Sequence, residues 1–245
     1  MRSGSTLESL SQSPLERALL KQVTTYGMTT RLVWSLDEEL KPHLPLEITQ
    51  SLRRLTKAQV VEAHPLHHGR FYFTLTKRMA RELSMANCQG GPFGEPAKIR
   101  AFAKLLLGVV YLPGVIPVRA AALADRIGEP IVGLPDVFLL HHASKQLYLV
   151  RIDVQPAQAP NHTAQQLRQD VFRLARTPPL KELVRTQQLK LAVAACSDRR
   201  CQSILDHFRS YQQVGKLPVL PVAIPELLSL LLPLDLGGVI AKKTF

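Results

Sequence analysis

Two aspartates, an arginine and a glutamine are the residues through which this chain could do chemistry. Pro135-Asp136 is followed, after sixteen intervening residues, by Asp153-Val154-Gln155, and Arg151 stands two places before Asp153. The stretch between reads as a β-hairpin. Val137 to Leu140 is apolar, polar turn residues follow, and Leu147 to Val154 is again apolar and β-branched. A turn centred between Ser144 and Lys145 would set Asp136 opposite Asp153, and directly opposed residues lie ~5 Å apart. Two carboxylates at that spacing could hold one divalent metal through oxygen, as in a metal-dependent nuclease. Strand side chains alternate with period two, so Arg151 and Gln155 share the face of Asp153. A guanidinium between two carboxylates could neutralise them and take the place of the metal, since buried charges persist when paired. Asp136, Arg151 and Asp153 are therefore expected to form a structural ion cluster, with no metal bound and no catalytic residue.

The elements that would position this hairpin are α/β in pattern. Helices are predicted over 98–110 and about 118–127. An amphipathic helix over 163–175 turns Leu167, Val171 and Leu174 inward. Leu189 to Cys196 is a buried strand, and Ser197 or Asp198 caps a helix reaching about Gln213. Leu217 to Ala223 is a last strand. Leu217 to Leu236 is broken by Pro218, Pro221, Pro225, Glu226 and Pro233, so it is not expected to span a membrane.

The N-terminal part reads differently. After a flexible 1–13, helices are predicted from Pro14, over about 30–40 and over about 46–58. A hairpin follows, with a strand from Val60-Val61, a loop over His64–Gly69 and a returning strand over Arg70–Leu75. A short helix over 77–83 closes the unit. This order is that of a winged helix-turn-helix, assigned to 14–86. On the third helix Ile48, Leu52 and Leu55 fall at core spacing, while Gln50, Arg53, Arg54 and Lys57 form a separate stripe. Such a stripe can meet base edges and phosphates. Arg70, Lys77 and Arg78 would add phosphate contacts that position the protein without reading sequence. His64, His67 and His68 have no carboxylate or thiolate at ligand spacing and are expected to be exposed rather than metal-binding. Residues 87–96, rich in glycine and proline, are the predicted linker. The Gly90-Gly91 pair within them lacks the context of a phosphate loop. The second domain is assigned to 97–245.

Bulk composition agrees with a polyanionic partner. Lys and Arg outnumber Asp and Glu by 31 to 19, a formal net charge of +12, and the excess is spread over both halves. Cys88, Cys196 and Cys201 form neither a disulfide framework nor a paired zinc signature. With no signal peptide recognisable at Met1-Arg-Ser-Gly-Ser, a cytoplasmic location is expected. Ser197, Asp198 and His207 are not spaced as a triad, and capping explains the first two.

The Pro135-Asp136…Asp153-Val154-Gln155 series resembles the PD-(D/E)xK nuclease motif, with glutamine in place of lysine. Gln165, Gln166 and Gln169 on the next helix fall where that superfamily often carries polar residues facing the site. A winged helix, then this hairpin, a Gln-rich helix and a buried strand ending in Ser197-Asp198-Arg199-Arg200 is similar to the replication-relaxation family of plasmids and other mobile elements. That likeness covers about 14–213. It implies a fold that is α/β (α+β overall), with an N-terminal winged helix-turn-helix followed by a restriction-endonuclease-like α/β domain. It also implies an accessory or regulatory protein of a bacterial mobile element. Its partner would be double-stranded DNA, with a second copy or another protein of the element docking on the second domain. The family tends to carry two acids around 151–153, and Arg151 replaces one of them. Two other readings stay open. One is a magnesium-dependent endonuclease using Asp136, Asp153 and Gln155, the only case that calls for a cofactor. The other is a docking scaffold that does not bind DNA.

Overall fold

Ser13 caps the first helix in the way its type suggests: its Oγ accepts from the Glu16 amide at 3.2 Å, and Pro14 takes the first helical position. The computed structural model describes residues 11, 13–67, 69–83, 90–131, 137–141, 143–155, 158–211 and 217–231. It is mixed α/β with two sheets, and it divides into two compact units, Met1–Pro113 and Gly114–Phe245.

In the first unit, helix α1 (Pro14–Tyr26) leads through the two-residue strand β1 (Thr29–Thr30) into the single turn α2 (Arg31–Trp34). The helix expected over about 30–40 stops there. Asp37 Oδ1 accepts from the amides of Glu39 and Leu40 at 2.8 and 3.1 Å, a local side-chain bond that competes with helix. Helix α3 (Pro45–Lys57) starts at a proline, and Glu47 reaches back to the Leu44 amide at 2.9 Å. It buries Ile48, Leu52 and Leu55 as its spacing requires. Strands β2 (Val61–His67) and β3 (Arg70–Leu75) form an antiparallel hairpin, and β1 pairs on the far side of β3. The expected loop at His64 is therefore strand. His64 is buried, contrary to expectation, with Nε2 3.0 Å from Thr74 Oγ1; burial lowers its pKa against the opposing pull of Glu62. The side chain of His67 and all of His68 lie outside the described residues. Helix α4 (Lys77–Glu82) is capped by Thr76.

The chain then stays with this unit. Gly90 runs so close to the start of α4 that a Cβ there would stand 2.7 Å from the Lys77 backbone. Phe93 stacks on Tyr72 with ring centroids 5.8 Å apart, and its amide donates to the Tyr72 hydroxyl at 2.9 Å. Helix α5 (Glu95–Leu106) continues as a π-helical turn over Leu107–Tyr111. The sequence placed this helix in the second domain, but the division between units falls after it, at Pro113. Gly108 explains part of the attachment: any Cβ on it would overlap the Tyr26 ring. Burial pushes that phenol up to about 12, with Asp37 and Glu39 adding. Gly108→Ala is expected to lower the stability of the first unit by about 1–3 kcal/mol, read as a lower urea midpoint of Trp34 fluorescence.

The second unit is built on the sheet β4-β5-β6-β7-β8. Strand β4 (Val115–Val118) precedes helix α6 (Ala120–Ile127), and β5 (Phe138–His141) and β6 (Leu147–Ile152) form the central hairpin. Helices α7 (Pro160–Arg176) and α8 (Pro178–Arg185) lead to β7 (Leu189–Ala195), which is parallel to β6. Helix α9 (Asp198–Arg209) leads to β8 (Val219–Ala223), parallel to β7. The core gathers Phe138, Leu149, Leu167, Leu191 and Phe208 between strands and helices. Edge strands β2, β4 and β8 carry Pro65, Pro117 and Pro221. Proline cannot donate to a further strand, so these edges are blunted against pairing. No helix among the described residues is long and apolar enough to cross a membrane.

Candidate ion-pair site and nucleic-acid interface

The hairpin register differs from the expected one. Phe138 pairs with Leu149, where a turn centred between Ser144 and Lys145 would have set it against Arg151. The turn closes earlier because His141 Nδ1 accepts from the Ser144 amide at 3.2 Å and the Gln146 carbonyl accepts from the His141 amide at 2.8 Å. Lys145 takes the left-handed conformation, φ 57°. Asp136 lies outside the described residues, so the part of the expected cluster that rests on it is not placed.

Arg151 and Asp153 do not pair with each other. Same-face neighbours on a strand are ~6.6 Å apart, and each finds its own partner on the helices beside β6. Arg151 Nε donates to Asp170 Oδ2 at 2.9 Å, and its Nη2 meets the same oxygen. Asp153 accepts at Oδ2 from Arg200 Nε at 2.7 Å, and at Oδ1 from Thr163 Oγ1 at 2.9 Å. Arg200 Nη2 also donates to the Gln158 carbonyl at 2.8 Å. Asp153 is 2% exposed and Asp170 fully buried. Among the described residues, Arg151 and Asp153 thus belong to two separate acid–arginine pairs, Arg151 with Asp170 and Asp153 with Arg200.

Helical geometry explains these pairs. Thr163, Leu167, Asp170 and Leu174 recur at i, i+4, i+7 and i+11 and are all buried, so one stripe of α7 carries a hydroxyl and a carboxylate to the strand. Gln165 and Gln169 fall off that stripe and are exposed; Gln166 bonds to His162 instead. None of the three glutamines is among the residues bonded to Arg151 or Asp153. On α9, the Ser197 Oγ accepts from the Arg200 amide at 3.2 Å and fixes the first turn. That turn follows the end of β7, where Ala194 O accepts from the Asp153 amide at 2.8 Å. The site therefore sits at the carboxyl ends of the parallel strands β6 and β7, the usual place for function in open α/β sheets.

Burial raises the Asp170 carboxyl pKa, against the pull of Arg151 and Arg173. Its Oδ1 has no hydrogen-bond partner among the described residues, and Arg173 Nη1 is 3.9 Å away. Burial also pushes both Cys196 and Cys201 thiols up, so neither is poised as a nucleophile. The described donors around Asp153 suit a divalent cation poorly. Both oxygens of Asp153 face guanidinium or hydroxyl hydrogens, and a metal would have to displace Arg200. Gln155 is exposed at the rim. Among the described residues, no group of three His, Cys, Asp or Glu could hold a metal ion.

The other candidate surface is on the first unit. Gln50, Arg53, Arg54 and Lys57 are exposed along α3, and Arg70, Lys77 and Arg78 are exposed on the hairpin and α4. Two of them are already engaged. Arg78 pairs with Glu82 on its own helix. Arg54 Nε donates to Glu16 Oε1 at 2.9 Å, and that carboxylate is only 2% exposed. Arg54 thus ties α3 to α1 while its side chain stays 56% exposed. Arg54→Ala is expected to lower the stability of the first unit by about 1–3 kcal/mol by stripping a partner from a buried carboxylate. Arg53→Ala should leave the melting temperature within a degree or so of the parent, as for a change at an exposed site.

No family model, curated protein or solved structure matches this chain.

Proposed function

We propose that the protein binds duplex DNA through its first unit, acting as a winged helix, and that its second unit is a nuclease-like domain that does not cut. The observation that carries the reading is the clustering of exposed cations. Between 48 and 82 the chain holds Arg53, Arg54, Lys57, Arg70, Lys77, Arg78 and Arg81 against Glu62 and Glu82, and all seven cationic residues are exposed. They lie on a helix, a hairpin and the following turn of helix, the elements with which winged helices grip DNA. Ahead of residue 48 the balance is slightly acidic, Arg2, Arg17, Lys21, Arg31 and Lys41 against Glu8, Glu16, Asp37, Glu38, Glu39 and Glu47. Within residues 1–82 the basic excess thus falls after residue 47.

The second unit supports a non-catalytic role. Arg200 pairs with Asp153 and Arg151 with one oxygen of Asp170, where a nuclease would leave carboxylates free for metal. In this reading the unit serves as a docking or phosphate-contacting body in an accessory protein of a mobile element, similar to the replication-relaxation family. Gel retardation of duplex DNA over a salt series tests the proposal. Binding that weakens steeply with salt and needs no metal supports it. Cleavage that needs magnesium or manganese would favour an endonuclease, and neither retardation nor cleavage would favour a protein-docking scaffold.

A further inference from the structure

We infer that Phe71 is an apolar wedge that enters the minor groove and unstacks a base step, so that this protein bends the DNA it binds. The inference rests on the DNA-binding reading above and adds a contact and a consequence to it. Phe71 is 52% exposed, and among the described residues of the first unit it is the only aromatic side chain so exposed. It stands at the second position of β3, two residues past the turn glycine Gly69, and pairs with exposed Pro65 on β2. Directly paired residues project from the same face of a hairpin, so Pro65 and Phe71 form a small apolar blade near its tip.

The backbone beneath the blade is held on both sides. The Phe71 carbonyl accepts from Thr30 Oγ1 at 3.0 Å on the β1 side, and on the other side β3 pairs with β2, whose register shifts between Pro65 and His67. A side chain presented from so fixed a strand loses little freedom on insertion. Its neighbour Arg70 is exposed and would meet the phosphates bordering the groove. The exposed cations of α3 and α4 provide the charge complementarity that draws a polyanion, rather than another basic surface, to this hairpin. Apolar wedges of this kind partly unstack base steps and kink the duplex.

The test is an A·T-rich duplex carrying a fluorescence-transfer pair at its two ends, titrated with the full chain at several salt concentrations. The parent should raise transfer on binding, corresponding to a bend on the order of 20–90°. Phe71→Ala should bind about tenfold more weakly, keep the parent's salt slope and lose the transfer change. Phe71→Leu should keep most of it, and both variants should melt like the parent. A parent that binds without bending, or a Phe71→Ala variant that bends equally, would overturn the wedge and leave DNA binding intact. A parent that retards no duplex at low salt would overturn the binding reading and the wedge with it. A parent that sediments as a dimer, with Phe71→Ala monomeric, would assign the blade to a contact between copies and also overturn the inference.

Discussion

Arg200→Ala is expected to destabilise the second unit by about 3–5 kcal/mol, because it strips the arginine from the buried Asp153 charge and leaves Thr163 as its one side-chain partner among the described residues. The assignment to that unit can be read directly. Trp34, the single tryptophan, lies buried in the first unit, so its fluorescence should keep the parent's urea midpoint while far-ultraviolet dichroism shows an earlier transition. Replacing both partners, Arg200→Met with Asp153→Leu, should recover most of the loss, since a buried ion pair can be exchanged for apolar groups at little cost. Arg151→Ala should be milder and should depend on pH. Asp170 already has a raised pKa, and losing Arg151 raises it further. The folded state then holds the proton to a higher pH than the unfolded state. The variant is therefore most stable below the ordinary Asp range and loses stability as pH rises through the raised folded value. Equal destabilisation by Arg151→Ala at acidic and alkaline pH would contradict this.

Arg53→Ala combined with Lys57→Ala is expected to reduce the slope of log affinity against log salt by ~1.8, since each lost phosphate contact removes about 0.9. Both side chains are exposed on α3, so the loss should come without a change in melting. The pair is a cleaner choice than one including Arg54, whose bond to Glu16 couples binding to folding. A double variant that binds like the parent at every salt concentration would remove α3 as the gripping helix.

Much of the fold was legible because the relevant signals are local. Ser13 and Ser197 cap helices through bonds within a turn of chain, and the run Leu191–Ala195 is apolar on both faces, as suits a strand between two parallel neighbours. Position in the sequence said less about register and partnership. The hairpin turn depends on a histidine side chain, His141, accepting from Ser144, a bond that composition does not announce. The ion pairs join residues 19 and 47 places apart, so which arginine meets which acid depends on how α7 and α9 lie against β6. One clue was available. Asp170 falls on the Leu167–Leu174 stripe, and a carboxylate at a core position must have a partner. Arg200 left a fainter trace as a basic residue in the first turn of a capped helix, where the dipole disfavours it unless a carboxylate is near. Helix α5 was read into the second domain because the glycine-rich stretch before it looks like a linker, whereas the two compact units divide after it. Gly90 and Gly91 instead allow close packing on α4.

The most direct measurement is a titration of duplex DNA with the full chain across a salt series, run once with a chelator and once with excess magnesium or manganese, with the DNA recovered and sized afterwards. The expected result is tight, salt-sensitive binding in the chelator and intact DNA in every lane. Metal-dependent fragments that disappear in Asp153→Ala, or no binding even at the lowest salt, would contradict it.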